Sequence, residues 1–232
     1  MGAATNDAER ARTRRKRWLI AAAVSVPLLA VAVLGHTRAG RAMLGAESCP
    51  WGGKPPSAER LEDFRVKHAA SLKTTTRATA RPAFGFVLDQ STRAEVTAWG
   101  ARSGAQCREE LGGAALRCDS GDKPFQVDDA LPIRDAFFRF DPRGVLVGVD
   151  LMRDGTNGEK AAAVLTTITA QIARAAGPPS TVQGTASSAH LAGYLNRAGS
   201  EFRFADYAAD VSATNLGEQG VVVREQYRSI PN

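Results

Sequence analysis

Two cysteines flank the stretch CREELGGAALRC, and they are the first residues whose type and spacing could do chemistry. A metal site needs further ligands, and neither a C-x-x-C nor a nearby histidine supplies them. The pair Gly112-Gly113 suits the positive φ angles of a two-residue hairpin turn. With that turn, Leu111 faces Ala114, Glu109 faces Leu116 and Cys107 faces Cys118. Counted from the turn, the cysteines occupy a hydrogen-bonded site with Cα atoms ~5.5 Å apart. That separation lies inside the ~4.4–6.8 Å disulfide range. We therefore read Cys107 and Cys118 as a disulfide, a staple contributing about 2–3 kcal/mol. Cys49 is left over, as a free thiol or an intermolecular link.

The other reactive side chains are sparse. The histidines are His36, His68 and His190. His190 has Ser187 and Ser188 close by in sequence, and Asp206 or Asp210 could complete a triad of the serine-hydrolase kind. A membrane-tethered hydrolase using His190 is thus one alternative; solvated Ser and His side chains in a polar loop are the favoured reading. Asp150, Asp154, Asn157 and Glu159 could be imagined around calcium, but their spacing misses the EF-hand pattern. Glu109 and Glu110 fall on opposite sides of a strand, a poor arrangement for paired-carboxylate chemistry. The chain lacks a G-x-S-x-G elbow, a phosphate-cradling glycine loop and an H-E-x-x-H motif. No catalytic, cofactor-binding or metal-ligating residue is assigned, and no cofactor is expected.

Charge placement bears on partners. The 232 residues carry a net charge of +6. Residues 1–41 hold eight basic side chains and two acidic ones, which accounts for the whole excess. The body, 42–232, balances 22 basic against 22 acidic residues and lacks the footprint of a nucleic-acid binder. The leader reads RTRRKRWLIAAAVSVPLLAVAVLG, a cationic cluster before an uncharged run from Trp18 to Gly35. As a helix, that run spans about 27 Å, close to the thickness of a bilayer core. Its basic flank predicts a cytoplasmic N-terminus with the bulk of the chain periplasmic or extracellular. The run exceeds the ~7–15 residues of a signal-peptide core, which favours a retained anchor over a cleaved signal. Twin-arginine export through Arg14-Arg15 and lipidation at Cys49 both lack the expected surrounding residues.

The expected organisation follows from these signals. Residues 1–17 form a basic cytoplasmic N-terminus, and 18–35 a transmembrane or signal-anchor helix. Residues 36–81 form a linker carrying one short amphipathic helix, and 82–232 an extracytoplasmic α+β domain. In the linker helix, Ser57 is the N-cap, with Leu61, Phe64, His68 and Leu72 on one half-buried face. KTTTRATARP is read as exposed, and AFGFVLD as a strand. Thr92 and Glu95 form a capping box for a helix with Val96 and Trp99 inward, and Thr156 with Glu159 form a second. The second helix carries Ala161, Val164, Leu165, Ile168, Ile172 and Ala175 as one stripe, ended by Gly177-Pro178. Between the helices, a turn at Asp141–Gly144 pairs Phe140 with Val145, Phe138 with Val147 and Ala136 with Val149. Residues 184–200 read as a connection with a short helix near Leu191–Leu195. Tyr207, Ala209, Val211 and Ala213 then alternate with polar or small residues as a strand, and Gly217–Gly220 turns the chain into VVVREQYRS.

Helices packed on one face of a mainly antiparallel sheet is the economical arrangement of this order, which admits two tandem α-β units. The stretches VLDQSTRAEVTAWGARSGAQC and FFRFDPRGVLVGV, together within residues 86–149, carry a resemblance. They are similar to the small α+β units of outer-membrane assembly lipoproteins of the SmpA/OmlA type and of β-lactamase inhibitory proteins. In those families a T-x-x-E-V helix precedes a meander with an aromatic-Asp-Gly turn. The resemblance departs where this chain lacks a lipobox, and after residue 154 it extends to element order alone. It implies a protein-binding or envelope-assembly domain that is not an enzyme, and it carries over no functional residue. The expected partners are the membrane, through the leader, and a protein of unknown identity, with no nucleic acid. Besides the hydrolase, a carrier holding an apolar ligand on the sheet is the remaining alternative.

Overall fold

Alternation of apolar and polar residues along successive segments produces an antiparallel sheet with two unlike faces. The computed structural model describes residues 57–121, 125 and 131–231. The expected membrane segment 18–35, with His36 and Cys49, lies outside the described residues. Among those described, no helix is long and apolar enough to cross a membrane.

Helix α1 spans Ala58–Ala70 and α2 spans Arg93–Ser103, preceded by a small hairpin of β1 (Pro82–Ala83) and β2 (Phe86–Val87). Strands β3 (Gln106–Glu110), β4 (Ala115–Asp119), β5 (Ile133–Phe140) and β6 (Leu146–Thr156) follow. Helix α3 (Gly158–Ala176) leads to β7 (Thr181–Gln183), a single turn α4 (Ser188–Leu191), β8 (Arg197–Arg203), β9 (Tyr207–Asn215) and β10 (Val221–Ser229). Eight strands form one antiparallel sheet in the order β3-β4-β5-β6-β10-β9-β8-β7. The architecture is therefore α+β, as expected, and its order reads the same from both edges. Each half is one helix followed by a four-strand meander, and the last strands of the halves, β6 and β10, meet at the centre.

Both main helices cover the same face. From α3, Ala161, Leu165, Ile168 and Ile172 pack with Val96 of α2 and the inward strand residues Phe138, Val149, Leu151, Phe202 and Val211. Thr92 and Glu95 make the expected capping box, and Gly104 ends α2 in the left-handed region. The α3 cap differs from expectation: β6 runs through Thr156, and Asn157 is the N-cap, accepting from the Lys160 amide. Asparagine caps at least as well as threonine, so the strand keeps the residue it needs for pairing with β10.

Four further expectations are corrected. The loop between β3 and β4 holds residues 111–114, not two glycines; Leu111, Gly112 and Gly113 all take positive φ. The pairing of Cys107 with Cys118 survives, because Glu110 facing Ala115 preserves the same register. The parity of the ladder shifts by one, which places the cysteines at a narrow site with Cα atoms 4.0 Å apart. In the β5–β6 hairpin, Phe138 faces Val149 and Ala136 faces Leu151, two residues beyond the simple count. The slip arises because Val145 pairs with Thr92 and a bulge absorbs Val147. AFGFVLD is the β1–β2 hairpin, turned at Phe84 and Gly85, both at positive φ. Finally, 184–200 contains most of β8, whose Ala-Gly-Ser run lacks the alternation that marks a strand.

The linker boundary also differs. Residues 74–79 are tied to the sheet end: the Thr74 amide donates to Phe204 O, the Ala205 amide to Thr76 O and the Ala78 amide to Asp206 Oδ1. Helix α1 lies on the opposite face of the sheet from α2 and α3, with Ala69 and Leu72 against Ala208 and Ile230. Its inward row is Leu61, Arg65, Ala69 and Leu72. Phe64 is 64% exposed and His68 is exposed, against the expected face. Arg65 sets this rotation, donating Nη1 to Ser229 O at 2.8 Å.

Candidate functional site

Inward positions on a sheet of this kind should be apolar, yet β6 places Arg153 there after Val149 and Leu151, and β10 places Glu225 between Val223 and Tyr227. Both side chains are 2% exposed, and Arg153 Nε donates to Glu225 Oε1 at 2.6 Å. Arg153 Nη1 donates to Leu131 O at 2.7 Å, and Tyr227 Oη donates to Glu225 Oε2 at 2.5 Å. Each carboxylate oxygen thus accepts one hydrogen bond. A buried ion pair is tolerated only with such additional bonds, since both ions have lost water. Burial, then the Glu225 charge, raise the Tyr227 pKa well above its ordinary value, and the same causes raise that of Tyr207. Tyr207 donates its hydroxyl to Pro82 O at 2.7 Å, which ties the β1–β2 hairpin to the sheet.

Arg153, Glu225 and Tyr227 form the floor of a cleft of about 860 Å³ between α2 and α3, over the central strands where the two halves meet. Val164, Ile168 and Ile172 of α3 form one wall, Trp99 of α2 the other, and Phe84 and Phe86 of the hairpin close one end. Trp99 makes edge contacts with Phe84 at 5.6 Å, Phe86 at 6.0 Å and Phe138 at 5.2 Å between ring centroids. The Arg153 guanidinium lies 5.6 Å from the Phe84 centroid. Positive charge over the negative face of an aromatic ring is attractive, so the ring and the ion pair fix each other. The arrangement offers apolar contact area above a locked polar floor, which suits recognition of an apolar group.

The residues singled out from sequence lie elsewhere. Cys107 and Cys118 form the disulfide at one edge of the sheet. Gly100 sits over it: a Cβ there would come within 2.4 Å of Cys107 Sγ. His190 lies on α4, its Nε2 3.1 Å from Arg197 O, and the Ser187 hydroxyl accepts from the His190 backbone amide as a helix cap. Asp206 accepts from the Ala78 amide, and Asp210 pairs with Arg203 at 2.5 Å. The structure does not bring Ser187, His190 and either aspartate together as a triad. Asp150 accepts from Arg224 and Gln226, and Asn157 is a cap. Among the described residues, no group of three or more His, Cys, Asp or Glu could hold a metal ion. Glu109 pairs with Arg93 while Glu110 lies near Arg108 and Arg117, on the other side of β3.

Sequence reasoning missed Arg153, Glu225 and the cleft. Strand parity carried the signal: two charged residues stand in register with apolar inward neighbours. No family model matches the chain, and no curated protein or solved structure matches it.

Proposed function

We propose that this protein is a membrane-tethered, extracytoplasmic binding domain without catalytic activity, whose cleft receives apolar side chains of a protein partner. The observation that carries the reading is the cleft itself, with aromatic and aliphatic walls over a fixed Arg153–Glu225 pair. Aromatic anchors seated in a preformed, desolvated recess dominate many protein interfaces. The cationic leader with its apolar run, and a disulfide suited to an oxidising compartment, support placement outside the cytoplasm. The likeness of residues 86–149 to assembly lipoproteins and inhibitory proteins agrees with a binding role.

A second reading, a carrier of an apolar small molecule, is favoured by the volume, because 860 Å³ falls within the ~300–1,000 Å³ of ligand pockets. One experiment separates the two. A photo-reactive benzoyl-phenylalanine replaces Gln171 on the cleft wall of the full-length chain, which is irradiated in its native membrane. A discrete protein adduct, abolished by Val164→Glu, is the expected result. A small-mass adduct alone supports the carrier. An adduct that Val164→Glu leaves unchanged removes the cleft as the binding site.

A further inference from the structure

On the face of the sheet away from the cleft, Arg139 stands out as a half-buried cation without an opposite charge of its own. It lies on β5 across from Gly148, and its chain passes so close that a Cβ on Gly148 would sit 3.1 Å from Arg139 Nε. Gly148 has no positive φ to demand glycine, so its missing side chain is the slot in which Arg139 lies. Arg139 Nη2 is shut off from solvent and makes no hydrogen bond. The guanidinium lies 5.8 Å from the Phe137 ring centroid.

The carboxylates nearby are already engaged. Asp150 accepts from Arg224 at 2.7 and 3.0 Å and from Gln226 at 2.7 Å. Glu62 grips Arg65 through both oxygens, at 2.6 and 2.7 Å. Asp210 serves Arg203 and, at 3.4 Å, Arg228. Arg65, Arg228 and Arg139 all line a groove of about 240 Å³ between α1 and the sheet. The rest of its wall is largely apolar, with Leu61, Phe137 and Val147. Burial lowers the Arg139 pKa despite the attraction of Asp150, and Arg228, Arg224 and Arg65 push it the same way. A positive charge with one nitrogen cut off from water and unbonded, beside other cations, is costly, and an anion in the groove relieves that cost.

We propose that this groove binds a small monocarboxylate on an apolar body, the carboxylate meeting Arg139 and the body lying against Leu61, Phe137 and Val147. The volume of about 240 Å³ restricts the groove to a small apolar body. A free organic acid and the C-terminal residue of a polypeptide share this chemistry.

The test uses the full-length chain in lipid nanodiscs, with phenylacetate and N-acetyl-phenylalanine as probes in ligand-observed NMR. Phenethylamine and phenylethanol are the cationic and neutral controls. Saturable binding of either acid, with neither control bound, is expected; the acid that binds identifies the source. Arg139→Met should weaken binding by about tenfold or more, the usual scale for a charge-assisted hydrogen bond, without lowering the melting temperature. Should that variant fail to fold, Leu61→Trp fills the groove from α1 and should abolish binding. Val164→Glu, in the cleft, should leave it intact, which keeps this site separate from the proposed partner site. Failure of both acids to bind, equal binding of the controls, or undiminished binding by Arg139→Met or Leu61→Trp overturns the proposal.

Discussion

Arg153 and Glu225 show how much a single inward charge can depend on its partner. Each is buried and completed by the other, by Leu131 O or by the Tyr227 hydroxyl. Removing one charge strands the other in an environment that cannot solvate it, at about 3–5 kcal/mol. Arg153→Met and Glu225→Leu singly should therefore each lower stability by that amount in urea denaturation. The double variant should recover much of the loss, since a well-packed apolar pair is often neutral relative to a buried ion pair. Additive losses in the cycle would mean that the two residues act independently. Gly100 follows the same logic without charge. Alanine is the better helix former, yet its methyl has no room above the Cys107 sulfur.

At the scale of elements, caps and turns decide where each segment begins. Asn157, not Thr156, closes the N-terminus of α3, and Thr156 is spent on pairing with Val221 in β10. Asn157→Ala should accordingly cost about 1 kcal/mol in chemical denaturation, the usual value of a lost N-cap. A larger loss from Thr156→Ala than from Asn157→Ala would contradict this assignment. The α2 cap carries a pH dependence as well. The Thr92 backbone amide, then its hydroxyl, hold the Glu95 carboxyl below its ordinary pKa. A carboxylate with a depressed folded-state pKa stabilises above its unfolded pKa and loses that contribution as pH falls through the folded value. The capping box thus adds to acid sensitivity, although the exposed side chain keeps its share small.

At the scale of the whole molecule, the two halves meet along β6 and β10, and the buried tyrosines lie beneath that seam. Tyr227 and Tyr207 both have pKa values raised by burial and then by the nearby Glu225 charge. A raised folded-state value means that stability is complete below the ordinary tyrosine pKa, about 10, and is lost as pH rises beyond it. Circular dichroism should show cooperative alkaline unfolding above about pH 10. Tyr227→Phe should flatten that limb, while costing about 1–3 kcal/mol at neutral pH for the bond lost to Glu225. An unchanged alkaline limb in this variant would place the titration elsewhere. The eight-stranded order also explains why the cleft sits where it does: each half brings one helix, and the gap between the helices falls over the central strands.

The amino-acid sequence by itself determined the class of fold, the α2 capping box, the α3 stripe, the Cys107–Cys118 pairing and the inward set of β9. Those features are local: they depend on periodicity, on a cap a few residues away or on a short loop count, and neighbours in sequence decide them. Tertiary contacts decided the rest. The two-residue slip of β5 on β6 depends on Thr92 capturing Val145, and the rotation of α1 depends on Arg65 reaching Ser229 across the fold. Strand β8 was hidden because small residues carry no alternation; they are buried where β9 pairs beside them and Thr169 of α3 reaches Ser200. The cleft and the Arg139 groove were not legible for the same reason. Arg153 meets Glu225 across 72 residues, and Arg139 is isolated only because its neighbours' carboxylates are taken by other arginines. Pairings over that distance are set by strand order, and strand order is a property of the assembled sheet.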